Sequence, residues 1–172
     1  LAKKCLNDIV KLEKRKTMGT TEQLIAYFIQ KLSGKITKTQ LMKLIFLADV
    51  ESVKFTNTQI SDIKWIFHHY GPYDEKLDKR LRALVKEGLI SVEQKNKKSK
   101  PEEIYFLYKF TGKKLQSDFG VVKKDIIDTI ISQFGSFTLD SLLKYVYNSD
   151  PVKQTEKGNH FDLVEIAKQN AC

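Results

Sequence analysis

The stretch from Trp65 to Ile90 constrains this chain more than any other. Tyr70-Gly71-Pro72-Tyr73 predicts a rigid turn, because proline presets one backbone angle and glycine accepts a close or left-handed bend. Asp74 stands where a helix cap belongs, and the residues after it place Leu77, Leu81, Leu84 and Val85 on one face and charges on the other. Gly88 stops that helix, and Leu89-Ile90-Ser91-Val92 reads as a strand. Its natural antiparallel mate is Ile104-Tyr105-Phe106-Leu107-Tyr108-Lys109-Phe110. A turn, a basic helix, a glycine stop and a hairpin form the second half of a winged helix-turn-helix. The expected fold is mainly α within an α+β class: a winged-helix-like core with a β-hairpin wing plus additional helices.

The rest of the chain supplies those helices. Residues 3–16 predict an amphipathic helix with Cys5, Leu6, Ile9, Val10 and Leu12 toward one face. Thr21 is the expected cap of a helix over 22–33 that Gly34 closes. Thr37 with Gln40 three residues later is a capping box opening a helix over 38–53, with Leu41, Leu44, Ile45, Leu47 and Ala48 inward. Phe46 falls one position off that stripe, toward Trp65. Residues 54–61 read as a polar loop, and Ile63, Trp65 and Phe67 alternate as a strand would. Helices are expected over 120–134, with Val122, Ile126, Ile127, Ile130, Ile131 and Phe134 apolar, and over 138–148. Asp150-Pro151 is expected to break the second, and 162–169 to hold a short helix. The organisation expected is an N-terminal basic arm over 1–17, a domain over 18–150, and a C-terminal tail or short helix over 151–172.

Charge is unevenly spread. Of a net +9, residues 1–17 carry six Lys/Arg against two acids and residues 74–114 twelve against seven, while 115–172 carry six against eight. A field concentrated on the arm and the helix-plus-hairpin unit favours nucleic acid or an acidic protein face. Lysine-rich solvated faces produce the same total without any such ligand. No apolar run is long enough for a membrane span, no secretory signal is visible, and Cys5 and Cys172 stand at opposite ends. The expectation is a soluble, cytoplasmic protein without disulfide or zinc.

Within the basic unit, Lys76, Lys79, Arg80 and Arg82 share the helix over 74–87 with its leucine stripe. Lys95, Lys97, Lys98 and Lys100 crowd the hairpin tip. On a winged helix, the helix residues would approach base edges and the tip lysines the phosphates. The competing reading is a solvated helix face and an edge protected by lysine. His68-His69 invites a metal, but adjacent strand residues point to opposite faces and no third ligand lies at a useful spacing. No metal or cofactor is expected. No phosphate loop, nucleophile elbow or carboxylate pair appears, so the expectation is a binding protein rather than an enzyme.

Two segments carry a family resemblance. Lys43-Leu44-Ile45-Phe46-Leu47-Ala48 on a capped helix, followed by Trp65-Ile66-Phe67-His68-His69-Tyr70-Gly71-Pro72-Tyr73, resembles the Panacea, or SocA-like antitoxin, domain. The resemblance spans roughly residues 20–150, and is most specific in the Lys-Leu-x-Phe/Tyr-x-Ala helix and the Tyr-Gly-Pro turn. It implies a mostly helical, non-enzymatic protein that neutralises a toxin encoded beside it through direct protein contact. By position, Lys43, Leu44, Phe46, Ala48, Tyr70, Gly71 and Pro72 would build the family's core rather than a catalytic site. Met42 stands where glutamine is common and Tyr73 where a small aliphatic is, as in a divergent branch. The expected partner is a toxin-like protein; the alternative is a winged-helix regulator that binds DNA.

Overall fold

The computed structural model describes residues 18–171 apart from 33 and 35, so the expected arm helix over 3–16 and both cysteines lie outside the described residues. Within them the fold is mixed α+β and mainly helical, with seven helices and two small antiparallel sheets. The first helix, α1 (Thr20–Lys31), starts from Gly19. Thr21, the expected cap, is instead buried inside the first turn, where its hydroxyl accepts from the Asp62 amide at 3.0 Å. A two-residue strand β1 (Ile36–Thr37) leads into α2 (Lys38–Thr56).

Helix α2 is the axis of the molecule. Its capping box is present, with the Gln40 amide donating to Thr37 Oγ1 at 3.3 Å and the Thr37 amide to Gln40 Oε1 at 3.2 Å. It runs past the expected end to Thr56 and closes on Asn57, whose φ of 56° is left-handed. Every residue from 41 to 50 is buried, because α1, the C-terminal helices and strands of both sheets all pack against it. Burial on all sides removes the one-face rule that periodicity relies on. Phe46 is thus fully buried, 5.3 Å from the Trp65 ring and 5.1 Å from Phe161.

The loop after α2 is held by one carboxylate. Asp49, fully buried, accepts from the Ile60 and Ser61 amides and from Trp65 Nε1, each at 2.9 Å, and from the Ser61 hydroxyl. Burial raises its pKa while the bonds from Ser61, Trp65 and Ile60 pull it back down. Those bonds place Ile63 and Trp65 in the core, so ladder pairing begins only at β2 (Ile66–His68). Strand β3 (Gly71–Tyr73) pairs with it, His68 opposite Gly71 and Ile66 opposite Tyr73. The turn therefore sits at His69-Tyr70, not at Gly71-Pro72 as the sequence suggests. The other edge of β2 is covered by residues 158–161, where the Phe67 amide donates to the Asn159 carbonyl at 2.9 Å and the Phe161 amide to that of Trp65 at 3.0 Å.

Helix α3 (Leu77–Lys86) begins later than the expected 74; Asp74 instead accepts from the Lys76 amide at 3.1 Å in the preceding turn. It ends at Gly88, φ +72°, where the Leu89 amide reaches the Leu84 carbonyl and the Gly88 amide that of Val85. That is the Schellman arrangement, which only glycine enters cheaply. Strands β4 (Ile90–Asn96) and β5 (Ile104–Phe110) form the expected hairpin, with Ile90 opposite Phe110 and Asn96 opposite Ile104. Strand β1 adds to β5, so the sheet order is β1-β5-β4.

The C-terminal section packs back on α2. Helix α4 (Val121–Phe134) buries Ile126, Ile127, Ile130 and Phe134, but Val122, expected inward, is exposed in its first turn. Helix α5 (Leu139–Tyr147) is capped by Thr138, which accepts from the Ser141 amide at 3.2 Å. Pro151 stands in the first turn of α6 (Asp150–Gln154), where a missing N–H costs nothing, so it opens a helix after the break. Helix α7 (Leu163–Asn170), capped by Asp162, buries Leu163 and Ile166. Phe161, Leu163 and Ile166 thereby join the buried apolar residues.

Asp49→Ala should leave two buried amides and the indole N–H without their acceptor. At about 1–3 kcal/mol for a stranded buried donor, the variant should lose at least about 3 kcal/mol in urea unfolding. A loss under about 1 kcal/mol would show that water replaces the carboxylate.

Candidate protein and nucleic-acid interfaces

The β2–β3 hairpin is seated on a buried lysine. Lys43, on α2, is only 2% exposed, and its Nζ donates to the Pro72 carbonyl at 2.7 Å. Proline suits this position: Pro72 faces Phe67, whose amide is turned away to Asn159, so no ladder bond needs a Pro72 N–H. Burial lowers the Lys43 pKa to about 8. Gly71 has φ +85°, and a Cβ there would stand 3.7 Å from Lys43 Nζ and 3.8 Å from Tyr147 Cζ. From the far side, the Tyr147 hydroxyl donates to the His69 carbonyl at 3.1 Å. Helices α2 and α5 thus grip the hairpin from two directions.

The tip that this base presents is aromatic and open to solvent. Tyr70 is 75% exposed, and His68 and His69 are exposed beside it. The two imidazoles do not diverge as on a flat strand; they meet edge to face at 4.7 Å, and His68 lies 5.2 Å from the Tyr73 ring. The residues of the sequence motif therefore divide. Lys43, Leu44, Phe46, Ala48, Gly71 and Pro72 are core, while Tyr70 is not. No group of three His, Cys, Asp or Glu capable of holding a metal occurs among the described residues. An open groove of about 790 Å³ lies between α2, α4, α5 and α7, lined by Leu47, Val50, Ile130, Phe134, Leu163 and Ile166 among others.

The basic residues also divide. Lys79 and Arg82 are exposed on α3, and Lys76 is exposed just before it. Arg80 is not available in the same way: its side chain is 11% exposed and bound to Glu22 at 2.7 Å and Asp62 at 2.9 Å, with Asp74 at 3.8 Å. Burial works against ionisation of Asp62, but the Thr21 hydroxyl and Arg80 together hold its carboxyl below the usual range. On the hairpin, Lys95 pairs with Glu93, Lys97 with Glu103, and Lys100 with Glu103 at 3.1 Å. Lys98 is exposed. The residues that sequence reasoning missed are Asp49, Tyr147 and the Glu22 and Asp62 carboxylates beside Arg80; their partners lie up to 78 positions away, so no local signal marks them.

Two outcomes follow from the hairpin's seat. Gly71→Val should cost about 1–3 kcal/mol, since a branched residue is strained at that positive φ. An unchanged melting temperature would show that the turn is not special. For Lys43, the folded pKa of about 8 lies below the ordinary 10.5, so between those values the unfolded chain binds more protons. Stability should therefore rise with pH above about 8, by up to about 1.4 kcal/mol per unit. Lys43→Met should abolish that slope in urea melts up to about pH 9.5, below the range where tyrosines titrate. A slope that survives the substitution would assign it to another group.

A family model described as Antitoxin SocA-like, Panacea domain, matches residues 41–151, from α2 to the start of α6. No curated protein and no solved structure gives a match. The matched span holds the buried lysine, the hairpin seated on it, α3 and both strands of the larger hairpin, while α1 and α7 pack against it from outside. It covers well over half of the sequence, and this chain belongs to the SocA-like antitoxin family through its Panacea domain.

Proposed function

We propose that this protein is a non-enzymatic, cytoplasmic antitoxin that neutralises a toxin-like protein, encoded beside it, by direct contact. The observation that carries the reading is the β2–β3 tip, an exposed Tyr70 with His68 and His69 on a base clamped by Lys43 and Tyr147. A rigid aromatic presented to water contributes much contact area at little entropic cost, which is why tyrosine is enriched among interface residues that dominate affinity. The family membership supplies the class of partner.

The architecture is read as a winged helix with an insertion. The element order α1-β1-α2-α3-β4-β5 and the sheet order β1-β5-β4 support it. The β2–β3 hairpin and its flanking loop stand between the two helices of the helix-turn-helix. In this reading the domain runs over 18–150 and the inserted hairpin is its recognition feature.

DNA contact is the second reading, favoured by the exposure of Lys76, Lys79 and Arg82 at and just before one helix. Phosphate contacts there would be salt-sensitive and indifferent to sequence.

Co-expression with the neighbouring gene product should restore growth and yield a complex that survives purification. Tyr70→Ala should fold normally and weaken that complex by about 2 kcal/mol or more, roughly thirtyfold in Kd. Full affinity in the Tyr70 variant would move the contact off this hairpin. Failure of any complex to form, together with salt-sensitive DNA binding lost in Lys76→Glu/Lys79→Glu, would favour the regulator.

A further inference from the structure

Among the described residues, the larger sheet ends in an open edge: in the order β1-β5-β4, strand β4 has a neighbour on one side only. Its seven residues contain no proline, and Ser91, Val92, Gln94 and Asn96 are exposed. The hydrogen-bond phase of the hairpin tells which groups face outward. At one end the Lys97 amide donates to the Glu103 carbonyl at 2.9 Å, and at the other the Thr111 amide donates to that of Leu89 at 3.1 Å. Odd-numbered positions of β4 therefore bond to β5, and Ile90, Val92, Gln94 and Asn96 direct their N–H and C=O groups away from the sheet. Long open edges of this kind are templates for another strand.

The side chains along that edge decide which strand fits. Glu93 and Lys95 sit two apart on one face, with Gln94 between them on the other. An antiparallel copy of β4 with Gln94 opposite Gln94 sets Glu93 against Lys95 of the second copy, and Lys95 against its Glu93. The same register brings outward-facing residues together, Val92 against Asn96 and Asn96 against Val92, so hydrogen-bond phase and charge agree. Shifting the centre to Val92 keeps the phase but loses both charge pairs. The exposed side chains of Val92, Phe106 and Ile104, at 45%, 47% and 52%, lie on the other face of the hairpin. Joining two hairpins makes that face continuous across four strands. We infer that this edge binds a second copy of the chain: β4 pairs with β4 about a two-fold axis through Gln94, giving a symmetric dimer.

The two-fold makes the pairing self-complementary, so charge reversal tests it on the full chain by sedimentation across a concentration series. The unaltered protein should dimerise. Glu93→Lys alone and Lys95→Glu alone each set like charges opposite each other and should shift the protein to monomer. The double variant E93K/K95E recreates both pairs with signs exchanged and should restore the dimer. As a second measurement, with Cys5 and Cys172 changed to serine, Gln94→Cys should cross-link across the axis. A hydrogen-bonded antiparallel pair has its Cα atoms about 5.5 Å apart, within disulfide range. Val92→Cys, which faces Asn96, should not cross-link. A monomer throughout the series, a dimer indifferent to either single reversal, or a double variant that stays monomeric would each overturn the pairing. A monomer whose toxin binding is lost in Gln94→Pro would assign the edge to a foreign strand and overturn it equally.

Discussion

Helix α2 carries two charged side chains into the middle of the protein, and the shape of everything from residue 57 to 76 follows from how they are satisfied. A buried carboxylate without donors would cost several kcal/mol. Asp49 avoids that by gathering the Ile60 and Ser61 amides, the Ser61 hydroxyl and the Trp65 indole. Because these donors come from one loop, their convergence fixes the path of that loop and delivers Trp65 beside Phe46. Lys43 donates to one carbonyl, that of Pro72, and its burial depresses its pKa. Its reach sets the height of the β2–β3 hairpin above α2.

A base built this way separates stiffness from exposure. The hairpin buries its glycine and proline, is held from behind by Tyr147, and is paired along its outer edge by residues 158–161. Only His68, His69 and Tyr70 project. The C-terminal segment is therefore part of the same device. Phe161 fills the space between Phe46 and Phe67, and its amide bonds to Trp65 just before β2 begins. Changes in α7 that loosen Phe161 would reach the tip through this path, without touching it.

What the sequence shows and what it hides follow from range. The Thr37–Gln40 box, the Gly88 stop, the β4–β5 pairing and the helix over 121–134 are encoded within a few residues, by caps, glycine and alternation. Three features are not. Phe46 falls off the apolar stripe of α2 only if that stretch of the helix has an outside, and between residues 41 and 50 it has none. Gly71-Pro72 has the composition of a turn, but the register of β2 with β3 moves the bend to His69-Tyr70. Arg80 sits in a basic helix as a groove-reading residue would, yet Glu22 lies 58 positions away and Asp62 eighteen. Tyr70 was misplaced for the same reason, since a motif made mainly of core residues does not announce its one exposed member.

The basic character of residues 74–114 changes meaning once charges are matched to neighbours. Counterion release scales with the number of phosphates that cations actually neutralise, so a lysine already held by a carboxylate contributes less than composition implies. Arg80 is spent on three acids inside the fold; Lys95, Lys97 and Lys100 lie against Glu93 and Glu103. Exposed cations remain at Lys79 and Arg82 on α3, at Lys76 just before it, and at Lys98 on the hairpin tip. Along β4 itself, Glu93 and Lys95 carry opposite signs. Alternation of sign is poor design for a polyanion, whose charge is uniform, and good design for a strand whose own charges alternate. The Glu93 and Lys95 pair of β4 therefore suits a peptide strand better than a phosphate backbone, and it lies on the same edge that the hydrogen-bond phase leaves open.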